Sequence, residues 1–197
     1  MGNFGKLTAY LEEISQGPVA GCACLVYQGE QEVYRRYAGR KTTEGGEALE
    51  NNTLYRLYSL TKLATAAAVL QLKEQKKLRL EDSVETFLPE WKGKGISIRH
   101  LLTMQSGLSY PYDTEKAAGV CKVINEFRNT HSRYATREYA AMLAQTPLMF
   151  RPGTDFVYGT SYDVLAAVIE EVSGQTFGEY LQAHLFAPLH MDNTMFK

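Results

Sequence analysis

Cysteine is scarce in this chain, and the three present, Cys22, Cys24 and Cys121, are an odd count. Cys22 and Cys24 stand two apart in a strand-like run, pointing the same way without the geometry to bridge, so no disulfide framework follows. Blocks of one charge sign are also missing. With 21 Lys and Arg against 22 Asp and Glu the formal net charge is -1, which argues against nucleic acid or an anionic membrane surface as the main partner. The longest uncharged apolar run, Leu63 to Leu72, is too short to cross a bilayer and carries a Thr and a Gln, so no membrane span is expected. A secretory signal would begin with a basic start and an apolar block. Met1-Gly-Asn-Phe-Gly-Lys leads instead into an amphipathic pattern with Glu12 and Glu13, and the cytoplasm is the expected location. The histidines, at positions 100, 131, 184 and 190, are scattered with no His-Glu-x-x-His and no second Cys cluster, so neither a metal nor a cofactor is expected.

What remains is the composition of a soluble globular protein. Its 197 residues, 45% hydrophobic and 22% charged, suffice for one substantial core. Leu7, Leu11 and Ile14 predict an amphipathic helix over residues 4–15, ended by Gly17-Pro18. The period then changes. Ala20 to Tyr27 and Glu32 to Gly39 predict two strands joined at Gln28-Gly29-Glu30, and Gly45-Gly46 opens a loop running to about Asn52. From Ser59 a helix begins whose apolar run predicts burial on nearly every side. Short helical pieces follow at 81–87 and 98–104, the second capped by Ser97. Further helices are expected over 136–144 and 162–172, the latter closed by Gly174, and a last one starts at a Thr176/Glu179 capping box. A lone hairpin offers too few ladder bonds to stand by itself, so something is expected to pair with it.

Ser59 and Lys62 are three apart at a helix start and share one face, their tips within reach of each other. The ordinary reading is an N-cap serine followed by a solvated lysine. A lysine in the first turn, however, opposes the helix dipole, and a packed helix behind it would desolvate the amine. Both effects predict a lowered Lys62 pKa, which would let the amine take a proton from a neighbouring hydroxyl. Tyr158 lies in Phe156-Val157-Tyr158-Gly159-Thr160-Ser161. It reads either as a packing aromatic or as a loop tyrosine held by a close backbone approach at Gly159, with Thr160 or Ser161 capping the next helix. No Gly-x-Ser-x-Gly elbow occurs, which disfavours a Ser-His-Asp hydrolase.

Taken in order, Ser59-Leu60-Thr61-Lys62, Ile98 to Leu108 with its Gln105-Ser106-Gly107, Pro152-Gly153 to Tyr158, and Pro188-Leu189 resemble the serine β-lactamase-like hydrolases. These include class C β-lactamases, DD-carboxypeptidases and carboxylesterases, and the likeness runs from about Gly17 to the carboxyl end. The resemblance implies an α+β fold of the β-lactamase/transpeptidase type. Residues 1–50 would form the amino-terminal helix and hairpin of the α/β lobe, an incomplete antiparallel sheet, and residues 51–197 a mostly helical lobe. It implies Ser59 as nucleophile of an acyl-enzyme, Lys62 as proton acceptor or holder of the hydrogen-bond network, and Tyr158 as general base and acid with a phenol pKa lowered by nearby positive charge. The Ser59 N–H would be one oxyanion donor. Thr160, where many relatives carry Asn, tilts the expected substrate from amides and β-lactams toward small-molecule esters. Tyr110 and Tyr112, with Met149 and Phe150, are candidate walls of the substrate pocket or ordinary packing residues.

The family's third motif, Lys or His followed by a small residue and Gly on a strand, has no match after Tyr158. That strand supplies the second oxyanion donor, whose loss costs about 100- to 1000-fold in turnover, so the isolated chain is expected to be weak or inactive. A complementing chain or oligomer partner at the hairpin edge would restore the sheet. The competing expectation is a non-catalytic remnant that uses that edge as an interaction module.

Overall fold

The computed structural model describes residues 3–112 and 114–196. The chain divides into two compact units, residues 1–56 and 57–197.

In the first unit, α1 (Gly5–Ile14) forms where the sequence predicts it and buries Leu11. Strands β1 (Gly21–Gln28) and β2 (Gln31–Thr42) pair antiparallel from Gly21 opposite Gly39 to Gln28 opposite Gln31, with a bulge at Val26/Tyr27. The turn between them uses Gly29 at φ 61°, a conformation that suits glycine. A third strand corrects the sequence expectation of a loop. β3 (Gly45–Ala48) pairs back on β2, giving the order β1-β2-β3. Gly45 and Gly46, at φ 107° and 106°, read as chain breakers in sequence, yet their freedom at positive φ is what folds this short strand onto β2. Among the described residues β1 pairs with β2 alone.

The second unit is helical: α2 (Thr61–Glu74), α3 (Ile98–Leu102), α4 (Ala118–Thr130), α5 (Thr136–Leu143), α6 (Ser161–Ser173) and α7 (Phe177–Leu181). Its centre is α6, which buries six successive residues, Val164 to Ile169, among α2, α3, α5 and α7. Gly174 ends it at φ 72°, the left-handed C-terminal position glycine favours. Leu72, Leu88, Trp91, Ile98, Leu101, Leu108, Ile124 and Leu143 complete the core. α3 starts at Ser97, whose Oγ accepts from His100 N–H while His100 Nδ1 accepts from Ser97 N–H. Thr176 and Glu179 make the same reciprocal cap for α7, as their spacing predicts.

The expectation of all-round burial is corrected for α2. Thr65, Ala68, Val69 and Leu72 are buried on one face, but Leu63 is 71% exposed and Leu70 45%. The apolar run signals two faces, and within its unit α2 is packed only on the side of α6 and α7. No helix of the described residues is long and apolar enough to cross a membrane.

Candidate active site

Ser59 sits in a single 3₁₀ turn, Tyr58–Leu60, that runs into α2. Tyr58, just before it, is held at φ 43°, a left-handed conformation that costs a tyrosine about 1 kcal/mol or more and recurs at functional sites. The turn leaves Ser59 exposed. Lys62, one helical turn on, places its Nζ 3.3 Å from Ser59 Oγ and 3.3 Å from the Tyr110 hydroxyl. The same ammonium stands 4.9 Å from the centre of the Tyr158 ring and 5.9 Å from that of Tyr162, both within cation–π range. Ser59, Lys62 and Tyr158 are thus brought together from segments about a hundred residues apart, with Tyr110 joining them from between.

Tyr158 is positioned by a laced pair of loops. Gly153 N–H donates to Gln105 O at 2.8 Å, Val157 N–H to Met104 O at 3.1 Å, and Met149 N–H to Gly107 O at 2.8 Å. Below them the buried Ser106 and Ser161 hydroxyls share a 2.8 Å hydrogen bond. Gly159 is there because nothing larger fits. A Cβ on it would lie 2.2 Å from Leu108 O and 2.6 Å from Ser109 Cα, which bears out the close approach read from the sequence. Tyr112 completes the clamp by donating its hydroxyl to Tyr158 O at 2.8 Å.

The electrostatics answer one sequence expectation and reverse another. The Tyr158 phenol is held below its ordinary pKa, chiefly by hydrogen bonding with Ser59, then with Lys62, and by the charge of Lys62. Lys62 runs opposite to the expected direction. Burial pulls its pKa down, but hydrogen bonds to Tyr158 and Tyr110 outweigh burial and the pKa is raised. Burial is only partial at this helix start, whereas the Tyr110 hydroxyl lies 3.3 Å from the ammonium and the Tyr158 ring 4.9 Å from it. The two shifts therefore favour the charged form of each group, ammonium for Lys62 and phenolate for Tyr158.

Of the other residues singled out, Tyr110 lies at the site, in contact with Lys62 and with its ring 5.9 Å from that of Tyr158. Tyr112 supports the Tyr158 backbone. Thr160 is 1% exposed, occupies the N-cap position of α6 without a side-chain cap bond, and leaves its Oγ1 buried without a partner. Met149 and Phe150 do not line the cleft beside Ser59. That cleft, about 570 Å³, lies within the helical unit and takes in Ser59, Lys62, Thr65, Tyr162 and Asp163. Asp163, missed in the sequence, is the only carboxyl in its wall among the described residues. Burial raises its pKa while Lys62 and then Arg128 oppose the rise. The signal available was position, since Tyr162 and Asp163 open the helix that follows Tyr158.

Comparison with known proteins gives concordant findings. Residues 7–197 match the family described as beta-lactamase. The chain is 33% identical over 181 residues to "Esterase EstB" of Burkholderia gladioli, covering 88% of this chain and 46% of that protein. It is 31% identical over 196 residues to "Putative penicillin-binding protein PbpX" of Bacillus subtilis, covering 97% and 44%. Among solved structures, "EstCE1, a hydrolase with promiscuous acyltransferase activity" aligns with TM-score 0.82 and 25% identity over 95% of this chain and 51% of that one. The octameric penicillin-binding protein homologue from Pyrococcus abyssi aligns with TM-score 0.78 and 27% identity over 96% and 44%. The chain therefore spans about half the length of the relatives it matches.

Proposed function

This chain belongs to the beta-lactamase family, and from that premise we propose that it carries a serine hydrolase centre working through an acyl-enzyme on Ser59. The observation that carries the reading is the convergence of a hydroxyl, an ammonium and a lowered phenol: Lys62 Nζ lies 3.3 Å from Ser59 Oγ and 4.9 Å from the Tyr158 ring. Tyr158, as phenolate, takes the Ser59 proton. The freed Oγ bonds to the substrate carbonyl carbon, the bond to the leaving group breaks, and Tyr158 returns the proton to the departing oxygen. Water then reverses the sequence and releases the acid. Lys62 stays protonated throughout, stabilising the phenolate and the attacking oxygen, and the Ser59 N–H contributes to the oxyanion site.

Esters are the proposed substrates. Thr160, standing where many penicillin-binding relatives carry Asn, has no side-chain amide to offer an amide substrate, and its hydroxyl is buried. The likeness to an esterase points the same way, while the likeness to a penicillin-binding protein supplies the competing substrate class. Hydrolysis of a short-chain p-nitrophenyl ester is expected to exceed that of a chromogenic cephalosporin. A preference for the cephalosporin would overturn the ester assignment; slow turnover agrees with the unmatched third motif, whereas no modification of Ser59 by either compound in the folded chain would overturn the hydrolase reading.

A further inference from the structure

The cleft that opens on Ser59 is unusually aromatic. Seven of its fourteen lining residues are Tyr or Phe, in a chain with 11% aromatics. Tyr134 and Tyr139 stack with ring centres 5.1 Å apart at 17°. Phe177 and Phe196 meet edge to face at 4.8 Å and 82°, and Tyr162 lies beside Lys62. The floor is small, formed by Thr65 on α2 and Ala166 on α6. Among the described residues the charged groups in the wall are Lys62 and Asp163, opposite in sign, so they favour neither an anion nor a cation. Tyr158 is not part of this wall. Because Tyr158 returns the proton to the leaving group, the alcohol departs on its side and the cleft receives the other half of the ester. Its volume, about 570 Å³, suits a group much larger than acetyl.

We infer that the cleft walled by Tyr134, Tyr139, Tyr162, Phe177 and Phe196 is an acyl pocket for neutral aryl-bearing esters, with Tyr134 a specificity-determining residue. This rests on the hydrolase reading above and names its substrate class. Aromatic faces at offset and edge geometries are the surroundings an aryl ring prefers. Tyr134 is 42% exposed, so it can be truncated without opening the core.

The test compares Ser59 acylation by p-nitrophenyl 3-phenylpropanoate and p-nitrophenyl acetate. Rates come from acid-quenched mass spectrometry of the intact chain and are normalised to each ester's spontaneous hydrolysis. The phenylpropanoyl ester is expected to acylate at least about tenfold faster, the discrimination a filled apolar pocket provides. Tyr134→Ala is expected to slow phenylpropanoyl transfer about fivefold more than acetyl transfer, and Tyr134→Phe to retain the preference. Acylation of Ser59 at equal normalised rates, or a Tyr134→Ala loss shared equally by both esters, overturns the aryl pocket and leaves the hydrolase reading standing. Absence of acylation by both esters in the folded chain overturns both.

Discussion

Gly159→Ala tests how strictly the loop carrying Tyr158 is placed. The added methyl would lie 2.2 Å from Leu108 O and 2.6 Å from Ser109 Cα, both backbone atoms that no rotamer change can move. Ordinary carbon–oxygen contact needs roughly 3.3 Å, so the two loops must separate by about 1 Å. Overpacking of this kind typically destabilises by about 1–3 kcal/mol. The effect on chemistry should be larger, because a displacement of about 1 Å at a reacting group costs about 100-fold in rate. Ser59 and Lys62 belong to a different segment and stay where they are. The assay is Ser59 acylation by a p-nitrophenyl ester, paired with urea unfolding. Acylation is expected to fall about 100-fold in a chain that still unfolds cooperatively. Wild-type acylation in Gly159→Ala would refute the placement of Tyr158 by this contact.

Four further outcomes follow from the structure. Tyr158→Phe keeps the ring but removes the proton acceptor, and Ser59 acylation should drop by about 100- to 10,000-fold with an unchanged circular dichroism spectrum. The acylation rate should rise with pH along a limb below 10, because the phenol's pKa is lowered and its deprotonated form is the active one. Lys62→Met removes one of the lowering contacts and should move that limb upward; an unmoved limb would assign it to another group. Leu165→Ala empties a fully buried position of α6, and urea unfolding should show a loss of about 2–5 kcal/mol.

Much of the site was legible in the sequence because it is local or carried by residues with few alternatives. Ser59 and Lys62 are neighbours through helical spacing alone, Gly159 announced a close backbone contact, and Ser97, Thr176 and Gly174 marked helix ends that the structure confirms. Properties set by long-range packing were not legible. The raised pKa of Lys62 depends on Tyr110 and Tyr158, 48 and 96 residues away, and helix-dipole reasoning could not foresee them. Likewise, the enclosed helix is α6 rather than α2, since burial depends on what packs around a helix as well as on its own composition. β3 was missed because two glycines in succession read as a breaker. The aromatic wall escaped notice for a related reason. Tyr134, Tyr162 and Phe177 lie on separate elements and share a cleft only after folding.

The most direct measurement is covalent labelling with a fluorophosphonate, followed by peptide mapping of the folded chain. A single adduct on Ser59 is predicted, absent in Ser59→Ala and strongly slowed in Tyr158→Phe. A folded chain that takes no label, or takes it at another residue with Ser59 untouched, would contradict the account.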